Sequence, residues 1–263
     1  MSLVAIDQEK CNECGICVSR CAMNFRTNGQ GITTHAEAET CSLCGHCVAL
    51  CPTDAIVHEK MDMDSFFTLD RKLKFGRDEF AEFVRSRRSH RAYKDEKIPR
   101  ADLEHLVQMA RFCPTGGNAQ PVQILIIEDE ARLDKLSKLT QAAIQDLYPG
   151  AREKREKAGI EEREDPIFHK APALMVFHIP KGRGSARTDS VIAAQTVVLA
   201  AMTIGLGTCY IGLLEHAWHT DETTREVLDL PEGHTLGSAI VLGYPALTFL
   251  RAVDRRPMDV RWE

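Results

Sequence analysis

An α+β protein in two parts is what this sequence predicts, and three observations carry the prediction. Eight of its ten cysteines sit between residues 11 and 51, in two copies of one spacing. Downstream, short apolar runs of strand length recur between longer stretches with helical periodicity. At 263 residues the chain has room for one ordinary domain with a small one beside it. The division places a cysteine module over residues 1–60, a linker over 61–76 and a larger domain over 77–263.

The module comes first. Cys11, Cys14, Cys17 and Cys21 read C-x2-C-x2-C-x3-C, and Cys41, Cys44, Cys47 and Cys51 repeat it thirty residues later, closing with Pro52. This is the run by which thiolates hold iron–sulfur clusters, the fourth cysteine of each run serving the other cluster. One [4Fe-4S] cluster is therefore expected on Cys11, Cys14, Cys17 and Cys51, and a second on Cys41, Cys44, Cys47 and Cys21. Gly15 and Gly45 follow the second cysteine of each run, where a missing Cβ lets backbone N–H groups approach sulfur. Zinc hooks need no third and fourth cysteine per run, and disulfides suit neither a reducing compartment nor an N-terminus without secretory character. Leu3 to Ile6 and Ala55 to Val57 are expected to pair as strands, with Ile16, Val18, Leu43 and Val48 shielding the clusters. So small a module has little core of its own, and metal–thiolate bonds must supply much of its folding energy. The first sixty residues resemble the bacterial dicluster ferredoxins, with Ala22 where that family usually has proline.

Charge narrows the partners. The net charge of −5 points to neither nucleic acid nor a membrane surface. Residues 1–60 carry four Lys/Arg against seven Asp/Glu, which suits a basic protein partner. The longest apolar stretch, Val191 to Ile204, is too short to span a bilayer, and no lipidation motif is visible. The expectation is a soluble cytoplasmic protein.

The linker, with Met61, Met63, Phe66 and Phe67, is expected to dock, since four large apolar side chains rarely stay in water. A helix starts near Asp78 and runs into Arg85-Ser86-Arg87-Arg88-Ser89-His90-Arg91. Pro99 opens a second helix carrying Leu103, Leu106, Val107 and Ala110. It stops at Cys113-Pro114-Thr115-Gly116-Gly117-Asn118, a loop by composition. Val122 to Ile127 reads as a buried strand, Leu133 to Leu147 as a helix, and 151–165 as a solvated charged segment that could act as a lid. Ala173 to Ile179 is a second buried strand. Thr188-Asp189-Ser190 is read as the cap of an apolar helix 191–204 ended by Gly205, buried on every side and hence marking a subunit interface. Gly207 to Gly212, a short helix around Asp221 to Leu228 and a strand Leu236 to Gly243 complete the domain. The tail from Tyr244 has little periodicity.

Arginine runs are usually solvated, but here Arg87, Arg88 and Arg91 flank Ser89 at a helix-to-loop junction, a donor set suited to phosphate. Pro114-Thr115-Gly116-Gly117-Asn118-Ala119-Gln120-Pro121 follows, then Gly205-Leu206-Gly207-Thr208-Cys209-Tyr210-Ile211-Gly212, then Arg255-Arg256-Pro257. In this order the stretches resemble the nitroreductase-like FMN proteins, over roughly residues 76–263, with Val122 where that family usually has tryptophan. The resemblance implies an α+β sandwich around a mixed sheet and a homodimer with FMN at the subunit interface. It implies FMN contacts from Arg87, Arg88, Ser89, Arg91, Pro114, Thr115, Gly116, Asn118, Tyr210, Ile211, Gly212 and Arg255. No residue stands out as a catalytic acid; the flavin carries the hydride. Cys113, Cys209 and the scattered His216, His219 and His234 read as ordinary structural residues, and His90 as outward-facing.

A cluster module fused to a flavin domain converts single electrons into hydride. The expected function is an FMN-dependent oxidoreductase, fed through two [4Fe-4S] clusters by an external electron-carrier protein, that reduces a small electron-poor substrate such as a nitroaromatic, quinone or activated alkene. NAD(P)H as direct donor is a close variant. The alternative is an electron-transfer or redox-sensing flavoprotein relaying charge between NAD(P)H or ferredoxin and a protein partner.

Overall fold

The computed structural model describes residues 3–37, 39–70, 72, 75–147, 150, 157–158 and 164–263. They form two compact units: Met1–Lys74 with Gly117–Ala119, and Phe75–Gly116 with Gln120–Glu263.

In the first unit, β1 (Val4–Ile6) pairs antiparallel with β4 (Ile56–His58), Val4 opposite His58 and Ile6 opposite Ile56. These are the two segments the sequence nominated. Between them β2 (Phe25–Asn28) and β3 (Gly31–Thr34) make a hairpin turned at Gly29 and Gln30, which the sequence reading passed over. Two one-turn helices, α1 (Ile16–Arg20) and α2 (His46–Leu50), repeat the thirty-residue offset. Each follows a glycine in the left-handed region, Gly15 at φ 74 and Gly45 at φ 69. That conformation is what demands glycine here. A Cβ on Gly15 would meet no protein atom within 4 Å, so close packing is not the reason. Leu3, Val4, Phe25, Ile32, Val48 and Ile56 form the small core, with Val18 partly buried against it. Ile16, expected to be a shielding residue, is 39% exposed yet lines a cavity with Cys11, Cys14, Cys17 and Cys51, whereas Leu43 is 41% exposed. In the linker, Met63 packs on this core and the Phe66 ring lies against Gly45. Phe67 is 71% exposed, so docking takes only part of the linker.

The second unit is built on the sheet β5-β6-β8-β7: β5 (Gln123–Ile127), β6 (Ala173–Pro180), β8 (His234–Gly243) and β7 (Gly207–Tyr210). All three pairings are antiparallel. The parallel component of a mixed sheet is a single bridge, Ser89 to Thr208. β6 is buried on both faces: Leu174 and Val176 join one core, Ala173, Met175 and Phe177 the other. This alternation follows from the two-residue period of a strand, and each large side chain so buried is worth about 1.5–3 kcal/mol.

One face carries α4 (Arg100–Arg111) and α6 (Ala186–Thr203), through Leu103, Leu106, Val197 and Val198. The other carries α5 (Glu130–Ala143), α7 (Gly212–Thr220) and α8 (Glu222–Leu228), through Leu133, Leu136, Leu214, Trp218 and Leu228. α5 stops at Ala143, and a 3-10 turn, Gln145–Leu147, covers the rest of the expected helix. α7 was missed: Gly212 reads as a loop end, although Leu213, Leu214, Ala217 and Trp218 have helical spacing.

α6 corrects the sequence reading at its start. It begins at Ala186, so Thr188, Asp189 and Ser190 lie inside the first turns and do not cap it. Asp189 is 3% exposed and accepts the Gly116 N–H at 3.1 Å, a long-range bond that local capping logic could not foresee. The helix ends as expected: Leu206 N–H returns to Ala201 O and Gly205 N–H to Met202 O. Its burial is one-sided, with Val191 46% exposed. Most of the segment 151–165 lies outside the described residues.

Candidate functional site

Two arrangements of side chains stand out, one in each unit. In the first, Cys11, Cys14 and Cys17 share a cavity with Cys51, forty residues from Cys11. α1 and its glycine set the first three; the chain leaving α2 brings the fourth. Ile6, Ile32 and Ile56 close the apolar side. None of the eight run cysteines is in a disulfide. Among the described residues no three His, Cys, Asp or Glu side chains converge as on a single ion; the four thiols ring a space instead. Burial alone would raise the Cys51 thiol pKa, but N–H bonds from the Thr53, Ala55 and Ile56 backbone outweigh it and lower the value. Of these, the Ala55 N–H reaches Sγ at 3.3 Å. In the other set, burial pushes Cys47 up to about 11, with Cys44 and Cys41 adding to the rise. Cys21, Cys41 and Cys47 are partly buried against the same core. Iron binding displaces the proton from each thiol, a loss that the surroundings of Cys51 favour and the burial of Cys47 opposes.

In the second unit α3 (Arg77–Ser86) delivers the arginine stretch to the sheet. His90 N–H donates to Thr208 O at 2.9 Å, which lays Ser89 parallel to β7. A second bridge, Tyr93 to Pro245, with Lys94 N–H to Tyr244 O, holds the far end of the stretch. Burial raises the Cys209 thiol pKa while Arg91, Ser89 and Arg87, all beside it, pull it down. Burial likewise pushes Tyr210 up to about 12 against the nearby Arg87. Arg87, Ser89 and Arg91 thus act on Cys209, and Arg87 on Tyr210, at the end of β7, where Ile211 links the strand to Gly212 of α7. Arg88 of the same stretch lies over the Phe249 ring at 5.4 Å, a cation–π contact.

Ser89 and Arg91 edge a hollow of about 510 Å³, with His169, Lys170 and Phe249 among its other walls. That volume is in the range of small-molecule sites. The Arg91 guanidinium and the Ser89 hydroxyl are donors suited to an anion, and they share the hollow with the carboxylates of Glu164 and Asp165, the first of them paired with Lys170.

The remaining candidates fall elsewhere. Gly116 is tied to Asp189 at the start of α6, and a Cβ on it would press Ser185 Oγ at 2.7 Å. Thr115 Oγ1 accepts the Gln120 N–H at 3.0 Å, and Pro114 is exposed. Asn118, in the left-handed region at φ 55, is counted with the first unit. Arg255 sits in the exposed tail, its N–H bonded to the neighbouring Asp254 carboxylate. The structure therefore groups Arg87, Ser89 and Arg91 with Cys209 and Tyr210 at the end of β7.

His90 does not face outward. Its ring packs edge-on to Phe249 at 5.2 Å and covers Gly207 so closely that a Cβ there would lie 2.6 Å from His90 Cγ. His58 and Asn24, which bond to thiols, were also missed; neither has a spacing that marks it.

A three-layer α+β domain with a cationic edge strand, in one chain with a thiol-ringed module, has the parts of an oxidoreductase. The chain belongs to the nitroreductase family: that family's sequence model matches residues 84–244, and the 4Fe-4S binding domain model matches residues 37–57. A protein of Archaeoglobus fulgidus, provisionally named NADH dehydrogenase/NAD(P)H nitroreductase, is 28% identical over 180 residues, 68% of this chain and 93% of that protein. An iodotyrosine deiodinase of Thermotoga neapolitana is 27% identical over 171 residues, covering 62% of this chain and 87% of its own. Among solved structures, a nitroreductase with bound FMN from Bacteroides fragilis shares the fold at a TM-score of 0.58 and 24% identity, over 70% of this chain and 99% of that one. No helix among the described residues is long and apolar enough to cross a membrane.

Proposed function

We propose that this chain is an FMN-dependent oxidoreductase that takes electrons through two [4Fe-4S] clusters and delivers them to a small electron-poor organic substrate, a nitroaromatic, a quinone or an activated alkene. The observation that carries the reading is the pairing, in one chain, of a cavity ringed by Cys11, Cys14, Cys17 and Cys51 with a strand edge lined by Arg87, Ser89 and Arg91. The flavin-bound Bacteroides fragilis relative supports it. Residues 1–60 act as the cluster module, 61–76 as linker and 77–263 as the flavin domain.

When bound, the clusters pass single electrons and FMN collects them for delivery as hydride. The protein's part is to hold and orient. Arg87, Arg88, Ser89 and Arg91 would hold the FMN phosphate and an edge of the ring, with Arg255 of the tail as a further phosphate partner. The backbone of Tyr210, Ile211 and Gly212 would supply further contacts to the flavin. Pro114, Thr115, Gly116 and Asn118 approach from the partner subunit of a homodimer, which sedimentation of the flavin-loaded protein should register. The acidic module, four basic against seven acidic residues over 1–60, suits a basic electron carrier as donor.

Anaerobic rapid mixing with reduced ferredoxin, NADH or NADPH in turn tests the order of events, followed by flavin bleaching and cluster absorbance. Clusters reduced before flavin, and only by the protein donor, are the expected result. Flavin bleached first by nicotinamide would reverse the direction and make the chain a relay toward a protein partner.

A further inference from the structure

Two buried side chains of the first unit aim N–H donors at thiols, and both thiols belong to the same predicted cluster. His58, at the end of β4, is 1% exposed, and its Nε2 stands 3.5 Å from Cys41 Sγ. Its other nitrogen, Nδ1, accepts the Lys60 backbone N–H at 3.2 Å. A backbone N–H can only donate, so Nδ1 is bare and the ring proton sits on Nε2, facing the sulfur. Asn24 is 3% exposed, with Nδ2 3.4 Å from Cys21 Sγ and 3.3 Å from Thr40 O. A carbonyl can only accept, so the amide nitrogen must point this way. Thr40 Oγ1, at 2.7 Å from Asn24 Oδ1, holds the other end of the amide.

The other set of ligands is treated differently. Cys51 receives N–H groups from the Thr53, Ala55 and Ile56 backbone and has the Thr53 hydroxyl at 3.7 Å. Among the described residues no side-chain N–H reaches Cys11, Cys14, Cys17 or Cys51. The asymmetry is thus two buried side-chain N–H donors on one predicted cluster, against the half-buried Thr53 hydroxyl and backbone N–H groups on its neighbour.

Hydrogen bonds to cluster sulfurs favour the state with more negative charge and raise the reduction potential, and burial strengthens each bond. We propose that His58 and Asn24 set the cluster held by Cys21, Cys41, Cys44 and Cys47 at the higher potential of the two, so that it takes the first electron. The inference rests on the two-cluster reading above. One electron enters from the low-potential carrier, no bond to iron forms or breaks, and the proton stays on Nε2 throughout. His58 and Asn24 are positioning residues: they touch ligand sulfur and act on iron through it.

The test uses the purified full chain under anaerobic conditions, with iron and sulfide counted and both midpoint potentials measured by redox titration followed by electron paramagnetic resonance. His58→Phe, which fills the site without a donor, should lower the higher midpoint and leave the lower one in place. His58→Gln, which keeps an N–H within reach, should recover much of the shift. Thr53→Val should act on the lower midpoint alone. In unsubstituted protein with 15N-labelled histidine, pulsed resonance of the first-reduced cluster should show a ring-nitrogen coupling that His58→Gln removes. A His58→Phe protein whose higher midpoint is unmoved, or whose lower midpoint falls instead, overturns the inference. If that variant loses its cluster, the labelled unsubstituted protein decides, and absence of the nitrogen coupling overturns the inference there. Fewer than two clusters' worth of iron in the unsubstituted protein would sink the two-cluster reading itself; full iron with unmoved midpoints sinks only the role of His58 and Asn24.

Discussion

Gly207→Ala is the substitution in which the seat of the arginine stretch can be measured. The added Cβ would sit 2.6 Å from His90 Cγ, 2.7 Å from His90 Cδ2 and 2.8 Å from Pro245 Cγ. Ordinary carbon contacts are about 3.5–4.0 Å, so the ring and the proline must each retreat by roughly 1 Å. Gly207 has no left-handed φ, so the effect is steric. The ring cannot simply turn away, because its outer edge meets Phe249. Retreat therefore strains the His90 N–H to Thr208 O bond that lays Ser89 on β7. Overpacking costs about 1–3 kcal/mol and loss of that bond about 0.5–1.5 kcal/mol, together about 1.5–4.5 kcal/mol. Urea unfolding of the full chain reads the stability, and flavin per chain after purification reads the site; both should fall. His90→Ala removes two of the three close contacts, so Gly207→Ala should cost less in that background than alone, a favourable coupling in a double-mutant cycle. A Gly207→Ala protein with unchanged stability and full flavin would refute the reasoning.

Cys51→Ser, though it falls in the second run, should remove the same cluster as Cys14→Ser and leave the cluster on Cys41, Cys44 and Cys47; iron counts and resonance spectra compare the two, and loss of different clusters would break the crossed ligand set. Asp165 holds the turn into β6 by accepting the Ile167, Phe168 and Lys170 N–H groups and the Ser137 hydroxyl. Burial alone would raise its pKa, but these bonds together lower it in the folded protein. Its stabilising effect is therefore present above the unfolded carboxylate pKa of about 3.9 and is lost as pH falls through the depressed folded value. Asp165→Asn should cost about 1–3 kcal/mol at neutral pH, with the gap to the unsubstituted protein closing in acid; a gap independent of pH down to acid unfolding would count against the carboxylate.

What could be read from the sequence was carried by neighbours in the chain. The cysteine runs are legible because a cluster is wrapped by residues three and four positions apart, and the crossing of Cys51 to the first run follows from that geometry. β6 is legible because burial on both faces leaves an unbroken apolar run, and the end of α6 because Gly205 permits the turn that its carbonyls need. The arginine stretch stood out by composition and order. Its seat did not, since Ser89 and Thr208 are partners across more than a hundred residues and no local period marks the pairing. For the same reason His90 looked outward until Gly207 was placed beneath its ring, and Thr188-Asp189-Ser190 looked like a cap until the Asp189 carboxylate was found turned to Gly116. His58 and Asn24 make the point most sharply. Which thiol receives a proton donor, and from which nitrogen, depends on β4 pairing with β1 and on Thr40 reaching Asn24, and only the tertiary structure brings those groups together.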